Sequence, residues 1–474
     1  MAHYEGDYLK KDGCHKEESC SRKLDLRGAF NRETTSILTF PSKNAGLSYV
    51  VYIFGDLAAE LFSRDGNNFT SVATIPVDPV FSIVVSGDVS KDFKNFYIAE
   101  VSGLGNAVRI RRFGPGLAAT PSFVIFNDVS PFTDVNIALT ADNKYLILTY
   151  TPSTAPFPPA AAFIRVLDAL TLQEVFPATV AEAQVFGPGG LETFSLIRSE
   201  EKKKHCKKEK RRNYIAVVTE ALIAGGAGVA PPFALTIYSL HKTGLKLVSR
   251  RPLPAAGTVT ATQGDQREAW LAVGTRVTFL SPTQPSVFPP AFVAANQTAL
   301  PGDNNNFRVY SFIGGDSLHV IYLEAFPAGI QNPVIHPSRD YIFVSSTTIG
   351  PIGVPIGALG FLRCVKVCKI KEHHCEKQTA TIDASKQNTT PIILPSFSAQ
   401  TGRFSANGKW FNTGGSSAVR AGVRNVNFYK VAPREDPCDR VICLGADPVV
   451  VLTAAVAVKA VKTGERKGPS CVDV

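Results

Sequence analysis

The sequence predicts an all-β fold, a seven-bladed β-propeller with four antiparallel strands per blade and an extension at each end. Three observations predict it. Pairs of short apolar strands around a polar turn recur along the chain, the first two intervals between turns are 50 residues each, and the composition favours turns over helices. The 474 residues include 37 Gly and 32 Pro against one Met and two Trp, and a 45% hydrophobic share is ample for a large core. Length alone is compatible with two or three ordinary domains or one large array, and the repeat decides between them.

The units run in order. SILTFPSKNAGLSYVVYIF starts at Ser36, FSIVVSGDVSKDFKNFYIAEV at Phe81 and VNIALTADNKYLILTY at Val135. The fourth is split, FSLIRSEE from Phe194 resuming as NYIAVV from Asn213. TVTATQGDQREAWLAV from Thr258, NPVIHPSRDYIFVSS from Asn332 and GRFSANGKWF from Gly402 complete the set. With Ser42, Asp92, Asp142, Ser199, Asp265, Ser338 and Asn407 as turn pivots, the spacings are 50, 50, 57, 66, 73 and 69. The longer intervals contain visible insertions.

Two further strand-like segments follow each pair, as in AFIRVLDALTLQEVF from Ala162, FALTIYSLHKTGLKLVS from Phe233 and FRVYSFIGGDSLHVIYLEAF from Phe307. Each unit therefore reads as strands A to D, with A nearest the axis. A small sheet with two apolar faces must pack between neighbours, and repetition around an axis gives a propeller. The expected divisions are an extension over 1–30, the propeller over 31–445 and a closing strand with a tail over 446–474. Strand C of the last blade is NVNFYKV from Asn425, so of RVICL and VVVLTAAVAV in the tail one is expected to complete that blade and the other to pair with the first blade or with Leu24 to Phe30.

The turns TADNKYLIL, SANGKWF and HPSRDYIFV resemble the SPDGKYLYV-type hairpin of YVTN-repeat and lactonase-like seven-bladed propellers. The resemblance covers the repeats from about residue 35 to 432 and implies the fold. As to function, it implies at most a hydrolase with an axial pocket.

In a propeller the B–C and D–A connections share one face, and the A–B and C–D turns share the other. The B–C loops of blades three to seven are TPSTAPFPPAAA, ALIAGGAGVAPP, SPTQPSVFPPAFVAANQTALPG, STTIGPIGVPIGALG and NTGGSSAV, with no charged residue among them. Either they pack on one another and on D–A loops such as VFGPGG and AFPAGI, or they form a contact surface. The second reading assigns Phe157, Ile223, Val229, Phe288, Phe292, Ile352 and Ile356 as apolar anchors.

The formal charge is +10, from 50 basic and 40 acidic residues. The run 202–212 contributes +7 of it: Lys202, Lys203, Lys204, Lys207, Lys208, Lys210, Arg211 and Arg212 against Glu209. It lies between strands A and B of blade four, opposite the neutral loops. It is either a solvated loop or a contact for nucleic acid or another polyanion, and no aromatic residue interleaves it for base stacking.

Nine cysteines fall in local groups away from the inner strands. Cys14 with Cys20, Cys368 with Cys375 across a C–D hairpin, and Cys438 with Cys443 are candidate disulfides, and Cys471 is suited to a bond between chains. Cys364 and Cys368 share a face of one expected strand but lie too far apart to bond. Zinc sets drawn from Cys368, His373, His374 and Cys375, or from Cys14, His15 and Cys20, lack four-ligand spacing, so no metal and no cofactor is assigned. Asp92, Asp142, Asp265 and Asp340 read as turn residues rather than general bases, and no catalytic residue is assigned.

The first twenty residues hold five acids and no apolar signal segment, and the longest apolar run, Val449–Val458, is too short to span a membrane. A cytoplasmic protein, or part of a particle exported by another route, is expected. The features point to a non-enzymatic binding or assembly module. It would self-associate or dock a protein partner through the apolar face, cross-linked by cysteines in a particle, coat or virion. Two alternatives stay open: a lactonase-like hydrolase with an axial pocket, and a cytosolic scaffold holding an anionic partner through the basic run.

Overall fold

The computed structural model describes residues 22–30, 36–39, 47–53, 57–65, 68–127, 135–150, 162–177, 179–181, 184–200, 208–221, 233–254, 257–261, 265–275, 305–326, 333–337, 341–349, 355–364, 366–372, 375–381, 392–394, 401–405, 408–414 and 426–433. Strand β1 (Arg22–Phe30) opens the described chain. Sheet one follows as β2 (Ser36–Thr39), β3 (Leu47–Ile53), β4 (Leu57–Asp65) and β5 (Asn68–Pro76). Sheet two is β6 (Ile83–Val89), β7 (Phe96–Val101), β8 (Val108–Phe113) and β9 (Ala119–Phe126). Sheet three is β10 (Asn136–Leu139), β11 (Tyr145–Tyr150), β12 (Ala162–Asp168) and β13 (Thr179–Ala181). Sheet four comprises β14 (Gln184–Glu200), β15 (Lys208–Ala221), β16 (Phe233–His241) and β17 (Gly244–Leu253). Sheet five begins with β18 (Gly257–Ala261). Its next segment, β19 (Asp265–Gln266), pairs back onto β14, and β20 (Ala269–Thr275), β21 (Phe307–Phe312) and β22 (Leu318–Glu324) complete the sheet.

In sheet six, β23 (Val334–Ile335), β24 (Tyr341–Ile349) and β25 (Pro355–Cys364) precede a separate ribbon, β26 (Lys366–Glu372) with β27 (Cys375–Thr381), before β28 (Ile392–Leu394) takes the outer place. Sheet seven is β29 (Thr401–Phe404), β30 (Trp410–Gly414) and β31 (Val426–Pro433), with β1 as its outermost strand.

The fold is an all-β propeller. The first strands β2, β6, β10, β14, β18, β23 and β29 neighbour one another in that order, and β29 lies against β2. A hydrophobic cluster fills every junction between consecutive sheets. Strand β7 shows why both faces of a sheet must be apolar. Phe96 and Ile98 face sheet one, whereas Tyr97, Ala99 and Val101 face sheet three. The junction between the last sheet and the first is aromatic: Phe69 stacks on Phe428 at 3.7 Å between centroids, and Phe62 meets Phe428 edge-on at 6.0 Å.

Closure involves the segment from Leu24 to Phe30, one of the pairing partners the sequence offers. The outer place in sheet seven goes to β1, paired antiparallel with β31 from Arg22 opposite Pro433 to Phe30 opposite Val426. A strand from the N-terminal side, within the expected extension over 1–30, thus covers the exposed edge of β31. The tail segments RVICL and VVVLTAAVAV lie outside the described residues.

Local chemistry explains the A–B turns. In Ser90–Asn95, Thr140–Tyr145 and Ser405–Trp410, the first residue's N–H donates to the last residue's carbonyl at 2.8–2.9 Å. Its hydroxyl accepts the last residue's N–H at 3.0 Å. The fourth position, Phe93, Asn143 or Gly408, has φ of +57°, +60° and +67° respectively. The hydroxyls of Ser90 and Thr140 also donate to Asp92 and Asp142 at 2.7 Å. These two carboxylates are therefore turn ligands, and the Ser90 hydrogen bond holds Asp92 below its ordinary pKa.

Candidate interaction faces

The B–C and D–A face is described in most detail at sheet two. Its B–C turn is held by Ser102, whose N–H donates to the Ala107 carbonyl at 2.9 Å and whose hydroxyl accepts the N–H groups of Asn106 and Ala107 at 3.2 Å. Gly105 in this turn has φ +71°. The turn is tied to the D–A connection by Gly103, which donates its N–H to the Val80 carbonyl at 3.1 Å. Together they present Leu104, 81% exposed, beside Val80 at 64%, with Ile83 at 47% on the adjoining strand. This turn contains no charged residue, like the loops of blades three to seven.

A buried ionic chain holds that corner in place. The carboxylate of Glu100 on β7 is fully buried and accepts the Nε–H groups of Arg109 at 2.9 Å and Arg111 at 2.8 Å, with a second contact from Arg111 Nη2. Arg109 continues the chain, donating from Nη1 to Asp78 at 2.8 Å while its guanidinium covers the Phe81 ring at 4.4 Å. Asp78 then accepts the N–H groups of Val80 and Phe81 at 2.8 and 3.3 Å, which fixes the D–A connection. The Arg109 hydrogen bond, aided by these N–H groups, keeps Asp78 below the ordinary carboxylate range.

The axis carries polar residues that the sequence reading did not single out. Asp88 on β6 accepts the Leu139 N–H from β10 at 2.6 Å and its neighbour Val89's N–H at 2.8 Å. Ser86 accepts the Ile137 N–H at 3.2 Å, and Thr193 on β14 donates its hydroxyl to the Leu139 carbonyl. Side chains of adjacent inner strands thus satisfy the open edge of β10. Burial raises the Asp88 pKa, and Arg403 on β29 partly offsets it. Arg403 Nη1 lies 3.7 Å from Glu192 Oε2 on β14, so residues of sheets four and seven meet across the ring. The chemistry available to this trio is charge pairing of Arg403 with Glu192 and, through its field, with Asp88. Asp88 and Arg403 both stand four residues before their turn pivots, a sequence signal that a repeat alignment would expose.

The opposite face carries the basic residues. Lys91, Lys94, Lys144 and Lys409 sit exposed in described A–B turns. At sheet four, Arg211 and Arg212 lie in β15, Lys208 and Lys210 share that strand, and Lys202, Lys203, Lys204 and Lys207 lie outside the described residues. Burial lowers the His241 pKa, and the charges of Arg212 and Lys246 lower it further.

The proposed anchors Phe157, Ile223, Val229, Phe288, Phe292 and Ile352 lie outside the described residues, and Ile356 is placed only as a backbone position in β25. Cys14, Cys20, Cys438, Cys443 and Cys471 also lie outside them. The pairing of Cys368 with Cys375 requires correction. In the ribbon Cys368 is opposite Thr379 and Cys375 opposite Glu372, a four-residue offset of about 13 Å at ~3.3 Å per residue, beyond the roughly 7 Å limit for bridged Cα atoms. The ribbon is an insertion rather than the C–D hairpin, since β28 is the outer strand. Cys364 and Cys368 belong to different strands.

No protein-family model matches the chain, and no curated protein matches it. Among solved structures it is similar to the WD40 β-propeller domain of Doa1, with 10% identity, 86% of this chain and 97% of that one covered, and a TM-score of 0.44. The Dos1 propeller gives 12%, 88%, 96% and 0.43. The Cps50 (Swd1) β-propeller domain of Myceliophteria thermophila gives 8%, 86%, 100% and 0.46. Likeness at this level carries no functional argument, and the propeller assignment rests on the sheets themselves. The lactonase-like type remains a resemblance of turn sequences. Among the described residues no helix is long and apolar enough to cross a membrane.

Proposed function

We propose that the chain is a seven-bladed propeller that acts as a binding and assembly module, docking a protein surface, in the first instance a second copy of itself, on its B–C and D–A face. The blade count is supported by the seven inner strands that neighbour one another around the axis. The observation that carries the docking reading is the corner formed by Val80, Ile83 and Leu104. Leu104 and Val80 stand in solvent on connections held by Ser102 and by the chain from Glu100 through Arg109 to Asp78, and Ile83 lies half exposed beside them at the start of β6. Rigid exposed apolar groups lose little entropy on contact, and the sequence of the B–C loops of blades three to seven is likewise free of charge.

The test is light scattering over a hundredfold range of concentration, with and without reductant, on the native chain and on Leu104→Asp. The expected result is a species larger than one chain that Leu104→Asp returns to one chain. Loss of that species in reductant assigns its persistence to intermolecular cysteine bonds, with Cys471 the first candidate. A native protein that stays a single chain throughout, or an assembly indifferent to Leu104→Asp, overturns self-docking through this corner.

A further inference from the structure

The hairpin of sheet four is longer than the sheet needs. Strand β16 pairs with β15 from Tyr214 to Glu220, and β19 pairs with β14 only at Ser195 and Leu196. The β14–β15 ladder nevertheless continues through Ile197 opposite Arg211, Arg198 opposite Lys210 and Ser199 opposite Glu209 to Glu200 opposite Lys208. Among the described residues, no other strand pairs with these four rungs. They form a two-stranded ribbon extending about 13 Å past the sheet at ~3.3 Å per residue.

Alternation along the ladder sorts the charges. Arg198, Lys208, Lys210 and Arg212 occupy one ribbon face together with Glu200, while Glu209 and Arg211 occupy the other. The base of the ribbon is basic as well, since Lys242 and Lys246 flank the β16–β17 turn and are exposed. The positive field there is strong enough to add to the lowering of the His241 pKa. Turns two and three on the same face are mixed in charge, with Lys94 paired to Asp92 at 3.8 Å and Lys144 in the same turn as Asp142, so the basic excess is centred on sheet four.

We propose that the β14–β15 ribbon is an arm that binds duplex DNA, lying in the major groove with its cations on the flanking phosphates. Two strands about 4.8 Å apart with their side chains fit a groove about 12 Å wide, which admits a two-stranded ribbon. The deep, narrow major groove of duplex RNA does not. The ribbon carries no aromatic platform for unstacked bases, so the contact is with the phosphate backbone and independent of sequence. This site lies on the face opposite the proposed protein-docking corner and does not depend on it.

The probe is a fluorescein-labelled mixed-sequence 20-base-pair DNA, titrated with the full chain and followed by anisotropy. Four phosphate contacts give a slope of log affinity against log salt near −3.6, so affinity falls about a hundredfold between 50 and 200 mM salt. In Lys208→Gln/Lys210→Gln, affinity at low salt falls about tenfold or more and the slope shrinks by roughly 1.8. Both positions lie beyond the last rung with β16, and the native salt slope is an independent reading that needs no variant. Absence of binding at 50 mM salt, binding unchanged in the double variant, or equal affinity for a single-stranded oligonucleotide overturns the proposal. Tighter binding of polyglutamate than of the duplex also overturns it and assigns the arm to an acidic protein.

Discussion

Gly408 has a demand on it that its counterparts in the second and third sheets escape. All three residues have φ near +60°, yet Phe93 and Asn143 show that side chains are tolerated there. At Gly408 an added Cβ lies 2.2 Å from Nε2 and 2.4 Å from Cε1 of His336. That imidazole is buried, packs edge-on against Phe404 at 4.9 Å and makes a 3.0 Å hydrogen bond with the Gly408 carbonyl through Nε2. Gly408→Ala must therefore displace the ring by more than an ångström. The left-handed backbone costs about 1 kcal/mol, the lost hydrogen bond about 1 and the overpacking about 2, roughly 4 kcal/mol together. Urea unfolding followed by circular dichroism measures the loss. In a His336→Ala background the same substitution should cost only about 1 kcal/mol, because the overlap and the hydrogen bond are already gone. Equal costs in the two backgrounds refute the reasoning, since they place the penalty in φ alone. Asn143→Gly, at the equivalent position, relieves the left-handed backbone but gives up the bond from the Lys91 N–H to Asn143 Oδ1 at 3.1 Å, and should change stability by less than about 1 kcal/mol.

The remaining predictions concern buried charge. Glu100→Gln leaves Arg109 and Arg111 without their shared carboxylate and should lower unfolding stability by about 3 kcal/mol, while weakening any association that depends on Leu104. A loss under about 1 kcal/mol in the same urea assay shows that the chain does not hold the corner. Asp88 has its pKa raised by burial, so between that value and the ordinary 3.8 the native state holds more protons than the unfolded one. Its contribution therefore stabilises the fold as pH falls towards 3.8 and fades as pH rises through the raised value. Asp78 and Asp92, held low, act oppositely and lose their stabilisation only as pH drops below about 3.8. Thermal midpoints measured from pH 7 to 4.5 should show a shallower gain, or a steeper loss, on acidification in Asp88→Asn than in the native chain. Parallel profiles contradict the assignment.

The parts of this fold that are legible in the sequence are those made by short-range chemistry. A Ser or Thr three residues before a left-handed position closes its own turn through bonds to residues within five places, so TADNKYLIL and SANGKWF announce hairpins wherever they occur. Apolar residues on both faces of a strand, as in FYIAEV, require a neighbouring sheet on either side, and that is enough for the repeated architecture. Turn chemistry also separates Asp92 and Asp142 from catalytic candidates, because a hydroxyl two residues earlier already accounts for each.

Tertiary structure alone decided what depends on partners far apart in sequence. RKLDLRGAF and the tail segments have comparable strand character, and only the open edge of β31 selects β1 as its neighbour. The offset of Cys368 from Cys375 follows from a ribbon whose register pairs Glu372 with Cys375, a one-turn detail that moves every partner along the ladder. Asp88, Glu192 and Arg403 come from sheets two, four and seven and meet because those sheets share an axis. Gly408 and His336, 72 residues apart, meet because consecutive sheets pack without room for one more carbon. A period along the chain can announce that the sheets will pack, but the contacts between them exist only once the ring has closed.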